Sequence, residues 1–277
     1  MGVRSGAVMV AKKAVKAALL PPASFGRERE PGLFVLIYHR VGAGMGREMD
    51  LPLATFRRQM EFLRERAEVV ALSDGVARIS AGSPPGDLVA ITFDDGYRDV
   101  FTRAWPVLRD LGLPATLFLA TAFLEGEAPA PIRTGAADAG EPALPLEWEH
   151  VTEMTASGLV EAGAHSHTHR DFDRLSPDEA REECERSDAI LEGKLERTVE
   201  SFAYPRAMIG NEDVVRARYG HAVAGLGGKN VPRSFDRYAI SRTPVRASDG
   251  MFFFRRRLAG IRPLEDRLYE RLRRGRT

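Results

Sequence analysis

Leu88-Val-Ala-Ile-Thr-Phe-Asp94-Asp95-Gly96 is the stretch from which the fold is read. An apolar, β-type run delivers two adjacent carboxylates and a glycine to what reads as a strand end. About seventy residues further on, a second run, Leu159-Val-Glu-Ala-Gly-Ala164, hands over to His165-Ser-His-Thr-His169, two histidines at i and i+4. Three neutralisable ligands and one spare carboxylate are the inventory of a hydrolytic metal site. Catalytic zinc takes three N or O protein ligands and keeps a position open for water, and a nearby carboxylate can act as general base.

Each motif alone is weak. Asp-Asp-Gly is a frequent turn, because Asp and Gly favour turns for purely conformational reasons, and His-x-x-x-His pairs are common. Their conjunction at two strand ends is stronger, and the small neighbours Gly96, Gly163 and Ala164 would let backbone approach a ligand.

Outward from these strands the pattern alternates. Strands are expected over 33–39, 88–93, 115–120, 159–164 and 199–204, and helices over 52–66, 99–111, 148–157, 177–195 and 211–219. Phe56 to Leu63 repeats apolar residues at helical spacing. Ser176-Pro177-Asp178-Glu179 is a helix start, with a capping Ser, Pro at the first helical position and acids in the first turn. Strands alternating with helices predict an α/β fold, here a distorted, incomplete (β/α) barrel with its site at the strand C-termini. A chain of 277 residues, 44% apolar, can bury one large core, so a single domain is expected.

Thr92-Phe93-Asp94-Asp95-Gly96 with His165-Ser166-x-x-His169 resembles the first two motifs of the polysaccharide deacetylase family, the NodB-homology domain or carbohydrate esterase family 4. Pro114-Ala-Thr-Leu-Phe118, Trp148 with Met154, and Phe202-Ala-Tyr-Pro205 also match. The resemblance covers residues 33–250, and Tyr38-His39-Arg40-Val41 is similar to the branch acting on poly-N-acetylglucosamine and other exopolysaccharides. It implies a NodB-type barrel and a hydrolase removing N-acetyl groups from N-acetylglucosamine-type residues. An O-acetyl esterase and a catalytically silent carbohydrate-binding relative are the alternatives. It implies one divalent metal on Asp95, His165 and His169, zinc first and cobalt or nickel after it. Asp94 is then the base: two adjacent carboxylates cannot sit equally close to one cation, so one ligates and the other stays free to accept a proton. His167 either supports a ligand, faces substrate, or is a plain exposed side chain.

Departures from the family pattern redirect two roles. The late Leu-x-His motif that supplies a general acid is missing, since no histidine follows His221. His39, at the end of the first apolar run, is the candidate in its place, with strand capping or support of a metal ligand as the alternative. Where relatives carry Arg-Pro-Pro-Tyr-Gly, this chain reads Ala203-Tyr-Pro-Arg-Ala207. The backbone N–H of Arg206 could still serve as an oxyanion donor. Arg242 could replace the missing arginine by pairing with Asp94, or be an ordinary surface ion pair.

Charge is uneven beneath the net +1: residues 1–32 carry +4, residues 251–277 carry +6, and residues 33–250 therefore carry −9. The termini read as a basic extension (1–32) and a basic, helical tail (251–277). Met251-Phe-Phe-Phe-Arg-Arg-Arg257 suggests either peripheral contact with a membrane surface or simple packing of the Phe residues beneath solvated arginines. Nucleic-acid binding is not expected, because no aromatic-interleaved basic motif accompanies the tails. No secretory h-region or 18-residue apolar span is visible, so a cytoplasmic or membrane-peripheral location is expected. Cys184 is the single cysteine, which excludes an intramolecular disulfide, and a monomer is expected. The segment 124–146, rich in Ala, Pro and Gly, would overhang the catalytic face and shape a sugar groove, or be a tolerated insertion.

Overall fold

The computed structural model describes residues 30–82, 84–131 and 140–259. The first elements are β1 (Leu33–Tyr38), the short pair β2 (Arg40–Val41) and β3 (Asp50–Leu51), α1 (Leu53–Arg66), β4 (Glu68–Val69) and α2 (Leu72–Ser80). β5 (Leu88–Asp95), α3 (Trp105–Leu111), β6 (Ala115–Leu119), α4 (Thr121–Leu124), α5 (Trp148–Ala156), β7 (Val160–Ala164) and α6 (Pro177–Leu195) follow. The last are β8 (Ser201–Ala203), α7 (Glu212–Arg218), β9 (His221–Leu226), β10 (Ile240–Pro244) and α8 (Gly250–Leu258).

β1 and β5 are buried along their whole length, as apolar strands covered on both faces must be. They pair in parallel from Leu33 opposite Leu88 to Tyr38 opposite Phe93. From β5 the ladder runs through β6, β7, β8, β9 and β10, and β10 returns to β1 at Leu36–Thr243 and Ile37–Pro244. The result is the expected barrel. It has seven strands rather than eight, and the ring nevertheless closes. β4 flanks only the start of β5.

Period two sorts the side chains. Leu33, Val35, Leu88, Ala90, Phe118, Ala203, Val223 and Ile240 fill the ring interior. Leu72, Val76 and Ile79 of α2 join this cluster, with α2 lying across the strand N-termini. The alternate residues Phe34, Leu36, Tyr38, Val89, Ile91 and Phe93 face outward under the helices. Phe56, Met60 and Leu63 of α1 are buried at the helical spacing read from sequence, and Phe56 meets Tyr38 and Phe93 with ring centroids 5.4 and 5.9 Å apart. Ser176 caps α6 by accepting from Glu179 N, and the Glu179 carboxylate returns to Ser176 N at 2.9 Å.

Three expectations change. α2, α4, β9, β10 and the short strands β2, β3 and β4 are additional elements, whereas α8 falls at the start of the tail read as helical. Gly96 and Gly163 serve packing rather than ligand approach. A Cβ on Gly163 would land on Ser201 Oγ and 2.8 Å from the Phe118 ring, and Gly96 has φ +93° with Leu124 Cδ1 2.7 Å from where a Cβ would sit. In α8, Phe253 and Phe254 are buried while Phe252 stands 59% exposed, and Phe254 packs edge-on against Phe62 of α1. Packing thus accounts for two of the three phenylalanines, and Arg257 is itself buried against Asp249. Residues 1–29 and 260–277, which hold most of the two basic ends, lie outside the described residues. No helix among the described residues is long and apolar enough to cross a membrane.

Candidate active site

Neighbouring residues of a strand point to opposite faces, so two adjacent carboxylates reach one cavity only if the backbone turns between them. Asp94 shares the interior face of Leu88 and Ala90, and Asp95 leaves the strand with φ +75°, which brings it to the same cavity. The loop after β7 is wound equally tightly, with positive φ at Ser166 and His169. It sets the His165 and His169 rings 4.8 Å apart, edge to face. Asp95 Oδ1 lies 3.5 Å from His165 Nε2 and 3.4 Å from His169 Nε2.

This donor set fits a divalent cation. Asp95 Oδ1 is buried yet takes no hydrogen bond, a cost that a cation would remove. His165 Nδ1 lies 2.7 Å from the Ala203 carbonyl, which can only accept. In the neutral ring the proton is therefore on Nδ1 and Nε2 keeps its lone pair, as metal-ligating imidazoles require. One ligand atom from each of Asp95, His165 and His169 falls within 4.8 Å of the others. Ser166 Oγ accepts from His169 N, and Glu183 of α6 accepts from both the N–H and the hydroxyl of Thr168, which fixes the loop from behind.

Arg242 is a buried partner of Asp94, not a surface ion. Its guanidinium forks onto the carboxylate with Nη1–Oδ1 at 2.6 Å and Nη2–Oδ2 at 2.9 Å, above the Phe118 ring. Burial opposes ionisation of Asp94, but Arg242, His165 and His39 outweigh it and hold its pKa below the ordinary carboxylate value. Asp95 is likewise held low, burial being overcome by His165, His169 and His39. For His169 burial dominates and pulls the pKa down to about 4, leaving the neutral ring that ligation needs. The pKa of His165 is raised, because Asp94 and Asp95 outweigh its burial.

His39 follows β1 and lines the same cavity as Asp94, Asp95, Arg206 and Arg242. Burial lowers its pKa against the pull of Asp95 and Asp94. Arg206 sits in the turn after β8 with φ +54°. The backbone bonds that close this turn run from Ala207 N to Tyr204 O and from Met208 N to Pro205 O, and the half-exposed Arg206 side chain pairs with Asp171 at 3.2 Å. His167 faces away from the cavity. It is buried, 2.9 Å from Thr121 Oγ1 and 3.2 Å from the Glu127 carboxylate, so neither substrate contact nor plain exposure describes it. The segment after α4 does reach the site, since Pro131 lines the cavity.

Several supports were not singled out from sequence. Arg40 is buried, pairs with Asp99 at 2.7 Å and donates to the carbonyls of Glu141 and Pro142, tying the loop after β1 to the segment before α5. Asp50 accepts from Ala43 N and Met45 N. Arg47 and Arg246 join the cavity wall. Arg40 stood inside a quoted motif, so a signal existed; for Arg47 and Arg246 none did.

A family profile described as polysaccharide deacetylase matches residues 81–222, just over half of the chain. The chain belongs to the polysaccharide deacetylase family. Among its relatives is YxkH of Bacillus subtilis (strain 168), whose name places it among polysaccharide deacetylases; it is 24% identical over 81% of this chain and 74% of its own length. The poly-beta-1,6-N-acetyl-D-glucosamine N-deacetylase of Escherichia coli (strain K12) is 27% identical over 49% of this chain, which spans 20% of that enzyme. In fold, this deacetylase-family chain matches the Streptococcus pyogenes deacetylase PplD with a TM-score of 0.67 at 19% identity, covering 84% of this chain and 100% of that one. IcaB from Ammonifex degensii matches with a TM-score of 0.67 at 23% identity over 83% and 96%.

Proposed function

We propose that the chain is a metal-dependent N-deacetylase, hydrolysing the acetamide of N-acetylglucosamine-type residues in a polysaccharide or glycan. The observation that carries this reading is the buried, unsatisfied Asp95 Oδ1 between two imidazole Nε2 atoms, beside a second carboxylate locked by Arg242. A divalent cation held by Asp95, His165 and His169, zinc before cobalt or nickel, would supply Lewis acidity to the acyl oxygen and to water.

The chain's own residues divide the remaining work. Asp94, kept ionised and immobile by Arg242, accepts the proton of the attacking water. The Arg206 N–H is offered to the oxyanion as the acyl carbon becomes tetrahedral. His39 protonates the departing amine, a poor leaving group without that proton. Because resting His39 is neutral at pH 7, it first accepts a proton, and Asp94, having taken one from water, is the donor at hand. Acetate and a free amine leave. The Escherichia coli relative's name supports the sugar assignment, and the acetamide is favoured over an ester because the site keeps a candidate acid for a leaving amine.

Acetate release from N-acetylglucosamine oligomers tests this. Release that stops on chelation and returns with zinc, cobalt or nickel is expected. No release from metal-loaded protein, with oligosaccharide still bound, would leave a catalytically silent binding protein instead.

A further inference from the structure

The turn after β8 holds two residues in a conformation that L side chains resist. Arg206 has φ +54° and Ala207 φ +58°, and neither is glycine. Each such residue is disfavoured roughly tenfold on steric grounds, so the turn persists only where its surroundings hold it. Its two internal bonds, from Ala207 N to Tyr204 O and from Met208 N to Pro205 O, offset this in part. The rest of the hold comes from a second segment. Asn211 stands immediately before α7 with φ +49°, at the position where an Asn side chain ordinarily caps the helix. It makes no such cap. Its Nδ2 instead donates to Phe172 O and to Leu175 O, both at 2.9 Å, and because carbonyls only accept, the amide nitrogen is the atom that faces them. Beside it the two backbones touch: a Cβ on Gly210 would lie 2.3 Å from Phe172 O and 2.4 Å from Asp173 N. The Arg206–Asp171 pair at 3.2 Å links the same two segments again. Residues 171–175 are the chain that leaves His169, and residues 204–211 are the chain that brings Arg206 to the cavity wall.

We infer that Asn211 is a positioning residue: it clamps the turn of Arg206 onto the segment leaving His169, and so sets where the oxyanion donor stands relative to the ligand set. This rests on the deacetylase reading and deepens it, since Asn211 does not itself line the cavity. Each of its two amide bonds is worth roughly two- to tenfold, the size of the strain at one left-handed residue, so their loss releases the turn without unfolding the barrel. Because the donor is a backbone N–H, no substitution at Asn211 deletes it. Any loss of turnover therefore reports on where the donor stands.

The test is Asn211→Gly in the full chain, which keeps the positive φ and costs α7 little as a cap but removes both bonds. Hydrogen exchange at the Ala207 and Met208 amides, whose bonds close the turn, should quicken by about tenfold while β5 and β6 exchange as before. On N-acetylglucosamine oligomers the kcat of zinc-loaded protein should fall about tenfold, a part of the roughly 10²–10³-fold that losing such a donor costs, with KM and zinc affinity moving by less than about twofold. Asn211→Asp, which sets an acceptor against two carbonyls, should lose at least as much. Unchanged exchange at those two amides, unchanged kcat in either variant, or a loss confined to KM or to zinc affinity overturns the inference and leaves the deacetylase reading standing. Exchange quickened throughout β5 and β6 as well would make Asn211 a residue of general stability, and overturns it too. If the wild type releases no acetate, the deacetylase reading fails, and exchange at Ala207 and Met208 alone decides whether Asn211 holds the turn.

Discussion

At Asp95 a φ of +75° turns one residue out of a strand, and the chemistry of the site depends on that turn. Without it Asp94 and Asp95 would face opposite sides of the barrel wall. Their identity was legible in sequence, and so was the i, i+4 histidine pair, because residue type and spacing carry that signal. The pairing of Asp94 with Arg242 could be raised but not decided, since 148 residues separate them and only the closed ring brings β10 beside β1. The Ala203 carbonyl that fixes the tautomer of His165 left no trace in residue type at all. His39 carries the sharpest prediction at this scale. His39→Ala should keep the metal and cut kcat on acetamide substrates by about 10²–10⁴-fold, with a much smaller loss on an activated aryl acetate, whose leaving group needs no proton. Equal losses on both substrates would make His39 structural. His167 offers no substitute, because it is turned toward Thr121 and Glu127.

Among the elements, those with a clear period or cap were readable: α1 through Phe56, Met60 and Leu63, and α6 through its Ser176–Glu179 capping box. β9 and β10 were not. β9 reads His-Ala-Val-Ala-Gly-Leu, whose small residues carry little strand signal, and β10 ends in Arg-Thr-Pro with its arginine drawn inward. α2 is short and holds Asp74 and Gly75, which weaken a helical reading although its Leu72, Val76 and Ile79 close one end of the barrel. Gly163 in β7 tests how tightly the elements pack. Gly163→Ala forces a methyl into Ser201 and Phe118 and should destabilise by about 1–3 kcal/mol in urea unfolding. Gly225→Ala in β9, where nothing lies within 4 Å of the added carbon, should change stability far less. Similar losses for both would mean that the β6–β7–β8 contact is looser than described.

For the whole molecule, a closed ring of parallel strands buries polar groups at strand ends, and His221 at the start of β9 is one of them. Its Nε2 is buried without a hydrogen bond, and burial, reinforced by Arg237, pulls its pKa down to about 4. The unfolded imidazole titrates near 6.5, so below that pH the unfolded chain binds the proton more readily than the folded one. Stability from a neutral His221 is therefore whole above about pH 6.5 and lost as pH falls toward 4, by up to about 3 kcal/mol. Wild-type protein should lose more stability between pH 7 and pH 5 than His221→Gln, measured from urea midpoints; matching losses would remove His221 from the account. The division of labour between the adjacent carboxylates is the claim on which the rest depends, and metal content measured beside acetate release in Asp95→Ala and Asp94→Asn tests it most directly. Asp95→Ala should lose metal and turnover together, while Asp94→Asn should hold a full complement of metal and turn over about 10²–10⁴-fold more slowly. Full metal in Asp95→Ala, or near-normal turnover in Asp94→Asn, would contradict it.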